Sequence, residues 1–208
     1  MVVFPFSHNR IHISDPMLRP VIDECVRFEK PIAIVLIRTH NADGSDIEPY
    51  LVGTAVQIES VDHYENGRMD IQILGDRRIR IREMLHSEST MMGSVEPVVE
   101  AAAEDQMAAD ALFDTARTEF EELMKRLFAR QDFQIQVVFP TDPFVLSFTI
   151  ANLLPLDNLA KQSLLEMTNT SERFRSMIPF LQTQNINLNR QGLQRIVAQE
   201  FQEWISLN

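Results

Sequence analysis

Five histidines (His8, His12, His40, His63 and His86), a single cysteine (Cys25) and the triplet Lys161-Gln162-Ser163 are the residues whose types suit bond-making chemistry. His8 and His12 are four apart, the spacing that puts two zinc ligands on one helix face. However, Ser7-His8-Asn9-Arg10-Ile11-His12 lacks the glutamate of an HExxH site and reads as extended chain, where that spacing does not converge. Two separate surface histidines and no metal are therefore expected. Lys161 and Ser163 are two apart, and on a helix such residues point in different directions, so no Ser–Lys dyad forms. Cys25 falls on an apolar helical stripe and reads as a small core side chain rather than a nucleophile. One cysteine also excludes an internal disulfide and a cysteine-based zinc cluster, and it fits a reducing compartment. Glu121 and Glu122 are neighbours on a predicted helix and cannot face each other as an acid–base pair.

Phosphate and hydride chemistry lack their motifs. No glycine is followed by lysine, which excludes a P-loop, and neither G-x-S-x-G nor G-x-G-x-x-G occurs. No catalytic residue, no cofactor and no enzymatic activity are expected.

Acids outnumber bases 30 to 19 in the 208 residues, a formal charge of −11 with a pI near 4.9. Such a surface argues against nucleic acid and anionic membranes, because phosphate contacts need clustered Lys and Arg. The basic cluster is Arg77, Arg78, Arg80 and Arg82. Within its strict alternation Arg78, Arg80 and Arg82 share a face suited to an anion or an acidic peptide. Pairing with the chain's own excess acid is the competing reading. The longest apolar run is about six residues, 32–37, where a membrane span needs roughly 20. The N-terminus has neither a basic stretch nor a long apolar core, so a cytoplasmic protein is expected.

Two periods divide the elements that must position these groups. Up to about residue 100, short β-branched segments (32–37, 51–58, 69–74, 78–82 and 94–99) alternate with turn signals. Asn66-Gly67 predicts a hairpin, because a type I′ turn needs positive φ at both central positions. Gly75-Asp76 predicts another turn. One helix interrupts this half. Asp15-Pro16 marks a cap and a tight turn before a helix over 20–29, whose stripe is Val21, Ile22, Cys25 and Phe28. From 101 the period becomes helical. A long helix over 101–130 carries Leu112, Ala116, Phe120, Leu123 and Leu127. Further helices follow at 143–153 after Asp142, at 158–167 after Asp157, from Thr170 or Ser171 to about 183, and from Asn189. Short connections favour antiparallel packing in a bundle.

Motif order then becomes informative. Phe4-Pro5, Ile11-His12-Ile13-Ser14-Asp15-Pro16, a helix and the strand from Ile32 resemble the opening of the Lon protease N-terminal domain family. Val52-Gly53-Thr54-Ala55, Asn66-Gly67-Arg68 and Gly75-Asp76-Arg77-Arg78-Ile79-Arg80-Ile81 are similar to that family's G-T-x-A, D-G-R and G-x-x-R-x-R-I elements. Ile150-Ala151, Leu154-Pro155-Leu156, Lys161-Gln162-Ser163-Leu164-Leu165-Glu166-Met167 and Glu172-Arg173-Phe174 are similar to its helical half. The resemblance covers almost the whole chain. Asp15-Pro16-Met17-Leu18 departs from the family's aromatic-rich E-P-R-Y. Before Phe4-Pro5 only Met1-Val2-Val3 stand where the family has another strand, so that strand is shortened or is itself 1–6.

The resemblance implies an α+β fold: a six-stranded, PUA-like β pseudobarrel with one inserted helix over 1–99, then a C-terminal α-helical bundle over 100–208. It also implies a stand-alone substrate-binding module without ATPase or peptidase modules, whose partners are unfolded or apolar polypeptide segments and a separate protease or ATPase. A self-associating homo-oligomer, or a small-molecule or RNA-fragment binder through the barrel, are the alternatives. Capture of varied chains calls for adaptable apolar side chains, and the chain has 13 Phe and ten Met against two Tyr and one Trp. Phe4, Phe6, Met91, Met92 and Phe139 are the candidate peptide contacts, with burial in the seam between the two halves the favoured reading for each. Arg78, Arg80 and Arg82 are the candidate anion contacts, with pairing to the chain's own acids favoured.

Overall fold

The computed structural model describes residues 1–39, 47–64, 67–86, 91–128 and 139–191. The chain divides into two compact units, Met1–Val99 with Asp157–Glu166, and Glu100–Leu156 with Met167–Asn208. The expected α+β class holds, with seven strands rather than six among the described residues. In chain order these are β1 (His8–Ile13), β2 (Ile32–Ile34), β3 (Ile37–Thr39), β4 (Ile47–Pro49), β5 (Val52–His63), β6 (Met69–His86) and β7 (Met91–Pro97). A five-stranded sheet runs β1-β6-β5-β2 with β7 also on β6, and β3 and β4 form a separate ribbon. The described strands do not close into a barrel. All pairings are antiparallel.

Three strand expectations change. The run 32–37 is divided between β2, paired with β5, and β3, paired with β4. An apolar run without alternation carries no signal for which sheet each end joins. Residues 1–6 form no strand; β1 starts the sheet instead. Gly75-Asp76 is no turn but lies inside β6. Ala55 faces Arg77 while Val56 faces Gly75, so Asp76 is the extra residue of a β-bulge. Gly75 is needed there for close approach: a Cβ on it would lie 2.1 Å from the Phe4 carbonyl oxygen. The hairpin expected at Asn66-Gly67 joins β5 to β6. Gly67 has φ +79° and its N–H donates to the Tyr64 carbonyl at 3.1 Å; Asn66 lies outside the described residues.

The core of the first unit gathers Val3, Ile13, Ile22, Val56, Met69, Ile71 and Ile73. A 3-10 turn, Pro16–Leu18, leads into α1 (Arg19–Arg27), and the Asp15 side chain accepts the Met17 N–H at 2.9 Å. Of the stripe expected to be buried on α1, only Ile22 is; Phe28, just beyond the helix, is 58% exposed and Cys25 is half-buried. Helical spacing says which residues share a face, not whether anything covers that face. The helix α4 (Asn158–Glu166), capped by Asp157 through the Ala160 N–H at 2.8 Å, belongs to this unit and bonds β5 through Gln162 Nε2 and the Val52 carbonyl.

The second unit packs α2 (Gln106–Phe128), α3 (Pro143–Leu153) and α5 (Thr170–Gln191) together. Ala116, Phe120, Leu123 and Leu127 of the expected α2 stripe are buried. Asp142 caps α3 by accepting the Phe144 and Val145 N–H groups. The cap of α5 is Asn169 rather than the expected Thr170 or Ser171, and the helix passes 183 and continues to Gln191 with Pro179 inside it. Most of the helix expected from Asn189 lies outside the described residues. Among those described, no helix is long and apolar enough to cross a membrane.

Candidate functional site

Extended strands place alternate side chains on one face, so His8, Arg10 and His12 of β1 line up beside β5 and β6. His8 Nδ1 is 3.0 Å from Glu59 Oε2, and His12 Nδ1 is 2.6 Å from Asp70 Oδ1. Asp70 also accepts Arg10 Nε at 2.9 Å and the Tyr64 hydroxyl at 2.9 Å. His63 Nε2 lies 3.7 Å from Asp23 of α1. Each of these three histidines thus meets a carboxylate from another element. Among the described residues no group of three His, Cys, Asp or Glu is placed to hold a metal ion.

The hydrogen bond from His12, with those from Tyr64 and Arg10, holds the Asp70 carboxyl below the usual carboxylate range. Stability from a carboxylate held low is present above its unfolded-state value and lost as pH falls through the folded one. Acidification below about pH 4 is therefore expected to destabilise the wild type more than Asp70→Asn, whose melting temperature lacks that dependence. Parallel thermal melts over pH 2–6 read the difference directly.

A cleft of about 330 Å³ at the end of α1 is lined by Cys25, Val26, Glu29, Lys30, Pro31, Gln57 and Ile58, at the small end of the roughly 300–1,000 Å³ of ligand pockets. Burial pushes the Cys25 thiol up, and Glu24 adds to the effect, so little nucleophilic thiolate exists at neutral pH.

The expected anion face does not assemble. Arg78 is 3% exposed and donates through Nη1 to the Leu165 carbonyl at 2.9 Å, under α4. Arg80 is half-buried, and Arg82 Nη2 pairs with Glu96 at 2.7 Å. Alternation puts Arg78 and Arg80 on one face of β6, but the register against β7 shifts between Ile81 and Glu83, which makes Arg82 the extra residue of a bulge. That a helix some 80 residues later covers Arg78 is a non-local fact.

The expected peptide contacts also separate. Phe4 is fully buried and offers no surface to a ligand, while Phe6, two residues on, is 44% exposed. Phe139 is half-buried, its ring edge-on to the buried Phe120 with centroids 5.4 Å apart. Met92 is 58% exposed and faces Leu85, itself exposed, across the β6–β7 pair. The backbone of Met91 pairs with His86, and its side chain lies outside the described residues. Sequence reasoning missed Leu85, Phe28 and Met17 as exposed apolar residues.

Of sixteen large apolar side chains exposed among the described residues, fourteen belong to the first unit and two, Met107 and Ile186, to the second. Among the described residues, exposed apolar side chains thus concentrate on the strand-rich unit.

Comparison with known proteins gives a consistent answer. The chain is 24% identical over 178 residues to Lon protease 2 of Herpetosiphon aurantiacus, covering 85% of this chain and 22% of that protein. It is 25% identical over 205 residues to the Lon protease of Trichlorobacter lovleyi, covering 96% and 25%. It therefore spans about a quarter of the length of these curated relatives. The N-terminal domain of the Mycobacterium avium complex Lon protease shares the fold at a TM-score of 0.67 and 22% identity, covering 88% of this chain and 93% of that one. A Lon N-terminal domain protein from Xanthomonas campestris superposes at 0.57 and 20%, covering 86% and 92%. Residues 1–183 match the family described as the ATP-dependent protease La (LON) substrate-binding domain, and the chain belongs to that family.

Proposed function

We propose that this chain is a non-catalytic polypeptide-binding module that holds unfolded or apolar segments of other proteins, alone or as an adaptor to a separate ATPase–protease. The observation that carries this reading is the concentration of exposed apolar side chains on the strand-rich unit, fourteen of the sixteen among the described residues. Exposed apolar area of that kind marks interaction surfaces, and flexible Met and Leu side chains adapt to varied partners. Membership of a substrate-binding family supports polypeptide as the ligand class. A charge of −11 disfavours nucleic acid.

Leu85 and Met92 form a directly opposed pair with both side chains exposed. Residues directly opposite in an antiparallel pair share a face, so together they offer one continuous apolar contact. Replacing both with serine is expected to weaken binding of unfolded casein about tenfold, the effect of losing roughly 1.4 kcal/mol of contact. The melting temperature should scarcely move, because exposed substitutions stay within about 0.5 kcal/mol. Fluorescence anisotropy with labelled casein measures the first and a thermal melt the second. Undiminished affinity in a folded double variant would contradict the proposal.

A further inference from the structure

The cleft at the end of α1 is shaped by the way that helix stops. The Lys30 N–H donates to the Cys25 carbonyl at 2.9 Å, and the Glu29 N–H lies 3.4 Å from the Val26 carbonyl oxygen. These are the bonds of a Schellman cap, which requires a left-handed residue at Glu29; its φ is +52°. The chain then turns through Lys30 and Pro31 into β2. With Gln57 and Ile58 of β5, this corner encloses the cleft of about 330 Å³.

Two side chains of opposite charge line it, and only one is satisfied. Lys30 Nζ donates to Glu24 Oε1 at 2.7 Å and lies 5.3 Å from the centroid of the Phe28 ring. That bond holds the Glu24 carboxyl below its ordinary range and the Lys30 ammonium above its own, so the two charges offset each other. The Glu29 carboxylate meets no cation and no hydrogen-bond donor among the described residues. Burial keeps the Cys25 thiol protonated at neutral pH. The cleft therefore carries one uncompensated negative charge, beside apolar walls supplied by Val26, Pro31 and Ile58.

We propose that this cleft takes one basic side chain, a lysine or arginine, of a bound polypeptide, with Glu29 pairing its cation and the apolar walls receiving its stem. Long cationic side chains join an apolar stem to a charged head, and the cleft offers a counterpart to each. Its volume suits a small group and not a folded surface. The chain's charge of −11 favours the approach of a cationic segment. The cleft also adjoins an open strand edge. Only Thr54–Val56 of β5 pair with β2; Gln57 and Ile58, just beyond, have β6 on one side and no strand on the other among the described residues. The proposal rests on the polypeptide-binding reading above and narrows the clients to apolar segments interrupted by a basic residue.

The test titrates two labelled, end-capped peptides of alternating leucine and serine into the full chain at low salt. One has a central lysine and the other norleucine in its place, and fluorescence anisotropy reads both. Wild type is expected to bind the lysine peptide about fivefold more tightly, the upper range for an ion pair reached by solvent. Glu29→Gln keeps the shape and should bind the two peptides equally. It should melt no lower than wild type, since a carboxylate gains nothing from the dipole at a helix C-terminus. Asp114→Asn removes the same charge from α2 and should keep the preference. Equal binding of both peptides by wild type overturns the proposal, and so does a preference that survives Glu29→Gln. A preference that Asp114→Asn also abolishes assigns the effect to overall charge and overturns it as well. A lowered melting temperature in Glu29→Gln shows a carboxylate engaged within the fold, with the same consequence. Wild type that binds neither peptide overturns the polypeptide-binding reading itself, a different result from binding both equally.

Discussion

Replacing Arg173 with alanine is expected to lower the unfolding free energy by about 3–5 kcal/mol, the range for breaking a buried charged network from one side. The Arg173 side chain is fully buried at the start of α5. Its Nε donates to Ser147 Oγ at 2.9 Å and its Nη1 to the Met167 carbonyl at 2.6 Å. Its Nη2 donates to Glu100 Oε1 at 2.7 Å and Thr170 Oγ1 at 2.9 Å. The guanidinium also lies 4.1 Å from the centroid of the Phe148 ring. Burial pulls its pKa down while Glu100 opposes the shift, and a guanidinium stays charged throughout the pH range of a folded protein. Alanine leaves four acceptors without this donor, each worth about 1–3 kcal/mol when buried and unsatisfied, though not additively. Lysine keeps the charge but not the planar fork or the stacking, so Arg173→Lys is expected to recover only part of the loss. Urea melts of the three proteins check the order wild type, lysine, alanine. An alanine variant within 1 kcal/mol of wild type, against the about 3–5 expected, would refute the network's role.

Gly75→Ala is the second large effect, at about 3 kcal/mol or more. The added Cβ would lie 2.1 Å from the Phe4 carbonyl oxygen and 3.0 Å from its carbon, and neither is the end of a flexible side chain. The Phe4–Ser7 turn must move away. That breaks the two backbone hydrogen bonds joining it to β6, at about 0.5–1.5 kcal/mol each, and adds about 1–3 kcal/mol of overpacking around the buried Phe4. Gly67→Ala serves as the contrast. There φ is +79° and the nearest atom to an added Cβ is 3.5 Å away, so only the conformational cost of about 1–2 kcal/mol applies. Urea melts should place Gly75→Ala well below Gly67→Ala, and the reverse order would contradict the close-approach reading.

The same pair of glycines shows what a sequence conveys and what it does not. Asn66-Gly67 announced a hairpin because a positive-φ turn is a local demand that few residue types meet. Gly75 looked like the same signal but answers a distant one, the carbonyl of Phe4 lying against β6. Asp15, Asp142 and Asp157 were legible as caps because each bonds an N–H two or three residues away. Arg78 was not legible as buried, since the helix that covers it begins at Asn158. Likewise Phe4 and Phe6 are the same residue type two positions apart, and only the turn between them decides that one enters the core while the other faces outward. Of the candidate site, then, the residue types could be read but not their accessibility. Accessibility depends on elements far away in the chain.

The central claim is that polypeptide is held on the apolar surface of the strand-rich unit. Backbone hydrogen exchange of the purified chain, with and without unfolded casein, tests it most directly. Added casein should slow exchange along the paired stretch that contains Leu85 and Met92, leaving α3 and α5 unchanged. Slowing confined to α2, α3 or α5, or no slowing anywhere at saturating casein, would contradict the account.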